Sequence, residues 1–190
     1  MNAPRRLAAL PWRRLGRFLE RTLALTGAFF IVFHVFFEVS WIATSSMAPL
    51  LVGADRGEPD WILIEKRFTR GRVPPRFECV AFDDEEGTEI VKRVAAFAGE
   101  RIEVHHDRTL WIDGRLVPVP AGVGEGKGYL PAGNLWDGHP FLVPEGHVYV
   151  LGDDTKDSLD SRFTGALPIE HIKGRAIFRI LPLSRFRLLA

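Results

Sequence analysis

The pattern of apolar and polar positions divides the chain near residue 44. Residues 22–43 read TLALTGAFFIVFHVFFEVSWIA, roughly the 20 residues that a helix needs to cross the hydrocarbon core of a bilayer. After Pro49 the pattern changes to short apolar stretches separated by Gly, Pro and acidic turns, which predicts strands. Candidate strands cover 61–66, 78–82, 89–97, 101–105, 109–112, 115–119, 146–151 and 173–183. Asp113-Gly114 is a hairpin signal between two of them. The Gly- and Pro-rich residues 120–138 read as an extended surface loop, as do 71–76 and the acidic run 83–87. The expected fold class is therefore mainly β, with a single N-terminal transmembrane helix ahead of a β-rich domain.

Charge gives the first segment a direction. Arg5, Arg6, Arg13, Arg14, Arg17 and Arg21 are opposed there only by Glu20, which predicts a cytoplasmic basic segment (1–21), a membrane anchor (22–43) and an extracytoplasmic domain (44–190). Trp12 and Trp41 flank the apolar run, where interfacial aromatics sit. A cleavable signal peptide has the same order of basic residues, apolar run and small residues, here Ala43-Thr44-Ser45. The run is longer than the usual signal-peptide core, which favours a retained anchor. His34 and Glu38, four residues apart, would share a helical face, and charge inside a bilayer is costly; Glu38 is expected near the outer interface and His34 neutral.

Composition then excludes several classes of function. A net charge of +1, from 25 basic and 24 acidic residues, gives no electrostatic case for nucleic-acid binding. Cys79 is the only cysteine, so no intramolecular disulfide forms, and its place in a candidate strand suits a small buried apolar residue. No Cys or His spacing fits a zinc site, and neither a metal nor a cofactor is expected.

Three stretches carry candidate chemistry. The first is Thr44-Ser45-Ser46-Met47-Ala48-Pro49. Hydroxyl runs after an apolar segment are ordinarily helix ends or linkers, but a turn closed by Met and Pro can also present one hydroxyl as a nucleophile. The second is Val91-Lys92-Arg93-Val94. Strand alternation puts Ile90, Lys92, Val94 and Ala96 on one face and Glu89, Val91, Arg93 and Ala95 on the other. Lys92 is the only charge on its apolar face, which fits either a lysine that sends its ammonium to water along apolar surface or a buried functional one. The third is Gly152-Asp153-Asp154-Thr155-Lys156-Asp157-Ser158-Leu159-Asp160-Ser161-Arg162. As a calcium loop it lacks the glycine that the Asp153, Thr155, Asp157 spacing would need next; an acidic surface turn is the plain alternative.

In this order the three stretches resemble the boxes of the bacterial type I signal peptidases, membrane-anchored serine proteases that use a Ser–Lys dyad. The likeness covers the anchor and most of the chain from Thr44 to about Leu183, with Thr44 for the first Ser of the first box, Gly99-Glu100 closing the lysine box and Val143-Pro144-Glu145-Gly146-His147 preceding the last. Asp154 stands where the family has Asn, Leu50 where Thr is common, and 95–98 lacks the usual Gly and Pro. The resemblance implies a signal-peptidase-like catalytic domain in which Ser46 is the nucleophile and Lys92 its general base. It further implies that the Ser46 N–H and Thr44 hydroxyl bind the oxyanion and that Ser158 orients the lysine. Gly152, Asp153 and an Asp160–Arg162 ion pair would support the loop, and Ile42, Leu51 and Val91 would line shallow apolar pockets. Implied partners are exported preproteins with signal peptides and the lipid bilayer, without nucleic acid, at the inner (plasma) membrane as a single-pass protein. Rival readings are a specialised relative, such as a conjugative-pilin peptidase, and a non-catalytic membrane-anchored β-rich binding protein. A self-cleaving repressor would need DNA-binding helices where the apolar run stands. A penicillin-binding type of site would need a lysine where Pro49 stands.

Overall fold

The computed structural model describes residues 12–66, 74–84 and 86–189. Arg5 and Arg6 of the expected basic segment, Gly71, Arg72 and Val73 of the expected loop, and Glu85 of the acidic run lie outside the described residues. The chain divides into two compact units at Phe36 and Phe37.

The first unit carries helix α1 (Trp12–Phe36). Its stretch Arg14–Phe36, 23 residues, is long and apolar enough to cross a membrane by length and composition. These bounds differ from the expected 22–43 at both ends. Arg14, Arg17 and Arg21 lie on the helix itself, and Phe37–Trp41 forms strand β1. The sequence FEVSW is rich in aromatic and β-branched residues that suit a pleated surface. It pairs antiparallel with β2 (Trp61–Glu65) over its full length, from Phe37 opposite Glu65 to Trp41 opposite Trp61. Glu38 therefore belongs to the strand and does not share a helical face with His34, and its carboxylate lies 3.7 Å from the Lys66 ammonium.

The second unit is mainly β. It continues through β3 (Cys79–Asp83), β4 (Glu89–Phe97), β5 (Arg101–Val104), β6 (Leu110–Ile112), β7 (Arg115–Val117), β8 (Phe141–Leu142) and β9 (His147–Leu151). A one-turn helix α2 (Ser161–Thr164) precedes β10 (Leu167–Pro168), β11 (Ile172–Leu181) and β12 (Arg187–Leu188). The larger sheet has the order β1-β2-β11-β3-β4-β9-β10 with β12 added to β11, and the smaller has the order β7-β6-β5-β8. The β6–β7 turn is the expected Asp113-Gly114 hairpin, with φ of 49° and 70°.

Residues 120–138 differ from the surface loop expected of them. Val123, Tyr129 and Leu135 are fully buried and pack with Ile102, Val104 and Leu110 of the smaller sheet and with Tyr149 and Leu151 of β9. Three apolar side chains spaced along a Gly-rich segment have no period, so only the cavity they fill reveals them as core. The tail also folds back. β12 pairs with β11, and Leu189 is buried in the cluster that holds Met47, Ile62 and Ile64.

β4 is the central element for the site. It lies between β3 and β9, with Val80 opposite Lys92 and Leu151 opposite Arg93. Val91 through Ala96 are all buried, so the strand is covered on both faces and its two neighbouring cations must be accommodated inside the domain.

Candidate active site

A one-turn 3-10 helix, Ser45–Met47, follows Thr44. Met47 anchors it, buried among Ile42, Leu51, Ile62 and Val91. Two backbone bonds close it, from the Ala48 N–H to the Ser45 carbonyl and from the Leu51 N–H to the Met47 carbonyl. The turn brings Ser46 against β4, where the Lys92 Nζ is in direct hydrogen-bond contact with the Ser46 Oγ. Thr44 is exposed, and its hydroxyl donates to the Ser46 Oγ at 3.4 Å.

Lys92 is only 2% exposed. Burial among the side chains of β3 and β4 lowers its pKa from 10.5 to about 8; Asp160 and Asp153 pull upward and Arg162 downward. Desolvation dominates because an ammonium loses its hydration shell and no carboxylate touches it among the described residues. The snorkelling lysine, one of the two readings left open by the alternation of β4, is therefore not what forms. The side chain ends on a serine inside the domain.

The Asp160 carboxylate organises the ground beneath the pair. Its Oδ2 accepts from the Ser158 hydroxyl at 2.8 Å, the Gly152 N–H at 2.9 Å and the Arg162 Nη2 at 2.8 Å. Its Oδ1 accepts from the Arg162 Nε at 2.8 Å and the Arg162 N–H at 3.2 Å, capping α2. Both side chains of the pair are 0% exposed. Arg162 also donates to the carbonyls of Leu130 and Thr155, tying the Gly-rich segment to the loop after β9. Ser158, expected to orient the lysine, instead donates to Asp160, and among the described residues it makes no hydrogen bond with Lys92.

Gly152 allows the close approach of these parts. A Cβ there would lie 2.1 Å from the Ser158 Oγ and 2.6 Å from the Ser46 carbonyl oxygen. Gly152→Ala is therefore expected to destabilise the domain by about 1–3 kcal/mol, the usual cost of overpacking. Thermal unfolding measures it, and an unchanged midpoint would contradict the packing described.

Of the residues expected at the site, Thr44, Ser46 and Lys92 share one set of hydrogen bonds and Gly152, Ser158, Asp160 and Arg162 share another. Ile42, Leu51 and Val91 lie together in the cluster around Met47, and Asp153 is buried beside the turn. Sequence reasoning missed three contributors. Arg93, adjacent to Lys92, points the other way and forms a buried two-point pair with Asp153, at 2.9 and 2.7 Å, while donating to the Phe77 carbonyl. The Asp154 N–H holds the Ser46 carbonyl at 3.0 Å. Asp55 bonds Ser45 from ten residues away. The signal for Arg93 was present, since a charge in the apolar middle of a strand needs a partner, and Asp153 was at hand.

A cavity of about 200 Å³ opens on the Ala48–Pro49 side of the turn, lined also by Arg56, Gly124, Asp154 and Thr155. Neither Ser46 nor Lys92 lines it.

A buried serine and lysine in contact, on a β-rich frame with an apolar helix ahead of it in the chain, form an arrangement suited to acyl-transfer chemistry. Residues 15–181 match the family "Signal peptidase, peptidase S26". A probable signal peptidase I-2 of Synechocystis is 30% identical over 159 residues, covering 80% of this chain and 66% of its own. A probable signal peptidase I-1 of the same organism is 30% identical over 173 residues, covering 86% of this chain and 79% of its own. A crystal structure of a signal peptidase I from Enterococcus faecalis shares 27% identity over 55% of this chain and 97% of its own, with a TM-score of 0.45. The chain belongs to the S26 signal peptidases, a family of serine endopeptidases.

Proposed function

We propose that this protein removes N-terminal signal peptides from exported preproteins by a Ser46–Lys92 dyad, with α1 as a single-pass membrane anchor. Its N-terminus lies in the cytoplasm and its catalytic domain on the extracytoplasmic side of the plasma membrane. The observation that carries this reading is the buried contact between Lys92 and Ser46 in a chain of this family.

Neutral Lys92 accepts the Ser46 hydroxyl proton as the Oγ attacks the scissile carbonyl carbon, and a tetrahedral intermediate forms. The oxyanion is met by the Ser46 N–H, one of the amides that the start of a helical turn leaves without an intrahelical acceptor. The Thr44 hydroxyl supplies the second donor. Lys92 then returns the proton to the leaving amine, whose C–N bond breaks, leaving an acyl-enzyme ester on Ser46. Water, deprotonated by Lys92, hydrolyses that ester and frees the serine. The substrate binds in extended form, with its small side chains directed toward the apolar cluster of Ile42, Leu51 and Val91.

The test is cleavage of a preprotein with an Ala-x-Ala site by the detergent-solubilised protein and its Ser46→Ala variant. Cutting at that site by the wild type and none by a folded variant is the expected result. Equal cutting by both excludes the dyad, and cutting restricted to one preprotein class points to a specialised peptidase.

A further inference from the structure

Thr44 occupies the N-cap position of the nucleophile turn, where a threonine hydroxyl ordinarily accepts a hydrogen bond from an amide of the first turn. It makes no such bond, because it is directed at the Ser46 Oγ. The cap comes from elsewhere. The Ser45 N–H donates to the Asp55 Oδ2 at 3.1 Å, and the Ser45 hydroxyl donates to the Asp55 Oδ1 at 2.6 Å. The Ser45 Oγ in turn accepts from the Gly53 N–H at 2.9 Å.

Ser45 is 2% exposed, so its polar atoms need protein partners, and Asp55 and Gly53 supply them. The segment that presents Asp55 lies hard against the turn. A Cβ on Gly53 would stand 2.4 Å from the Thr44 carbonyl carbon, and the Ala54 N–H donates to the Ile42 carbonyl. The adjacent Arg56 bridges Asp154 and Asp157, each at 3.0 Å, and the Asp154 amide holds the Ser46 carbonyl. Arg56 is largely solvated, so its pairs are weak; the bonds to buried Ser45 are where the leverage lies.

We infer that Asp55 is a positioning residue for the nucleophile turn: it caps Ser45 from outside the turn, and so leaves the Thr44 hydroxyl free to face the reacting centre. This rests on the Ser46–Lys92 reading of the site. The hydrogen bond from Ser45 also holds the Asp55 carboxyl below its usual pKa.

Asp55 is itself exposed, so when it is removed water can reach the vacated donors. Stability then changes little while the turn loses its fixed placement. A misplacement of about 1 Å at a reacting centre costs on the order of 100-fold in rate. Asp55→Ala is accordingly expected to lower kcat on the Ala-x-Ala preprotein by about 10- to 100-fold, with KM and the thermal midpoint nearly unchanged. Asp55→Asn, which keeps one acceptor oxygen, recovers part of the rate. In a Ser45→Ala background the Asp55→Ala change costs less than it does alone, since the hydroxyl bond is already gone. A wild-type kcat in folded Asp55→Ala overturns the inference while Ser46→Ala remains inactive and the dyad stands. A fall in midpoint that accounts for the whole loss of activity assigns Asp55 a structural role and overturns it too. Cleavage that survives Ser46→Ala overturns both.

Discussion

Lys92→Met is expected to abolish preprotein cleavage, by about four orders of magnitude in kcat, and at the same time to make the folded domain more stable at neutral pH. Methionine matches the length of lysine and suits the apolar neighbours Val80 and Val94, which pack together around this part of β4. The loss of rate follows from removing the base. The gain in stability follows from removing a buried ammonium, and its sign is set by the direction of the pKa shift. Lys92 titrates at about 8 in the folded protein, lowered by burial from 10.5. Between those values the unfolded chain binds more protons than the folded one, so this group makes stability rise with pH across that window.

Below pH 8 its full penalty is present, on the order of 3 kcal/mol for such a shift. Part of that is offset in the variant by the lost bond to Ser46. The expected net effect is a midpoint a few degrees higher at pH 7, shrinking toward pH 10.5. The wild-type kcat/KM should rise with pH through about 8, because only the neutral amine accepts a proton; at pH 7 roughly one molecule in ten holds it so. Thermal unfolding and a pH–rate profile measure both parts. A variant less stable at every pH, with a flat wild-type profile, would make Lys92 a structural cation.

Asp160→Ala should have the largest cost in stability. The substitution strands Arg162 as a buried charge and leaves the Ser158 hydroxyl and the Gly152 amide without their acceptor. Breaking a buried ion pair from one side costs about 3–5 kcal/mol, against a total of about 5–15 kcal/mol for a typical domain. The thermal midpoint is expected to fall by about 10 °C. Asp160→Asn keeps the shape, loses the charge and is expected to fall between the two. It carries a second readout, because Asp160 pulls the Lys92 pKa upward. Without that charge the pH–rate limb should move to lower pH in any variant that remains folded. If the midpoint holds but the limb stays in place, Asp160 influences neither the frame nor the base.

The limits of the sequence reading follow from the range over which its signals act. Period-two alternation along 89–97 identified β4 and put Lys92 on an apolar face, because side-chain direction in a strand is a local property of the backbone. The Asp113-Gly114 turn was legible for the same reason. Phe37–Trp41 was not, since an apolar run after a helix reads as more helix until a partner strand is in view; β2 is that partner. Arg93 was assigned to the opposite face from Lys92, but the buried Asp153 that neutralises it comes from a loop 60 residues away.

By itself, the order of residues determined that an apolar helix precedes a β-rich domain, and it offered a serine turn, a lysine strand and an acidic loop with one arginine as candidates for chemistry. Those are matters of local pattern and composition. Only the tertiary structure decided that Lys92 ends on Ser46, that Ser158 serves Asp160 in place of the lysine, and that Asp55 caps the turn so that Thr44 need not. Each of these is a choice among several possible hydrogen-bond partners. In a buried site that choice is made by which donors and acceptors the packing of distant segments leaves within about 3 Å of one another.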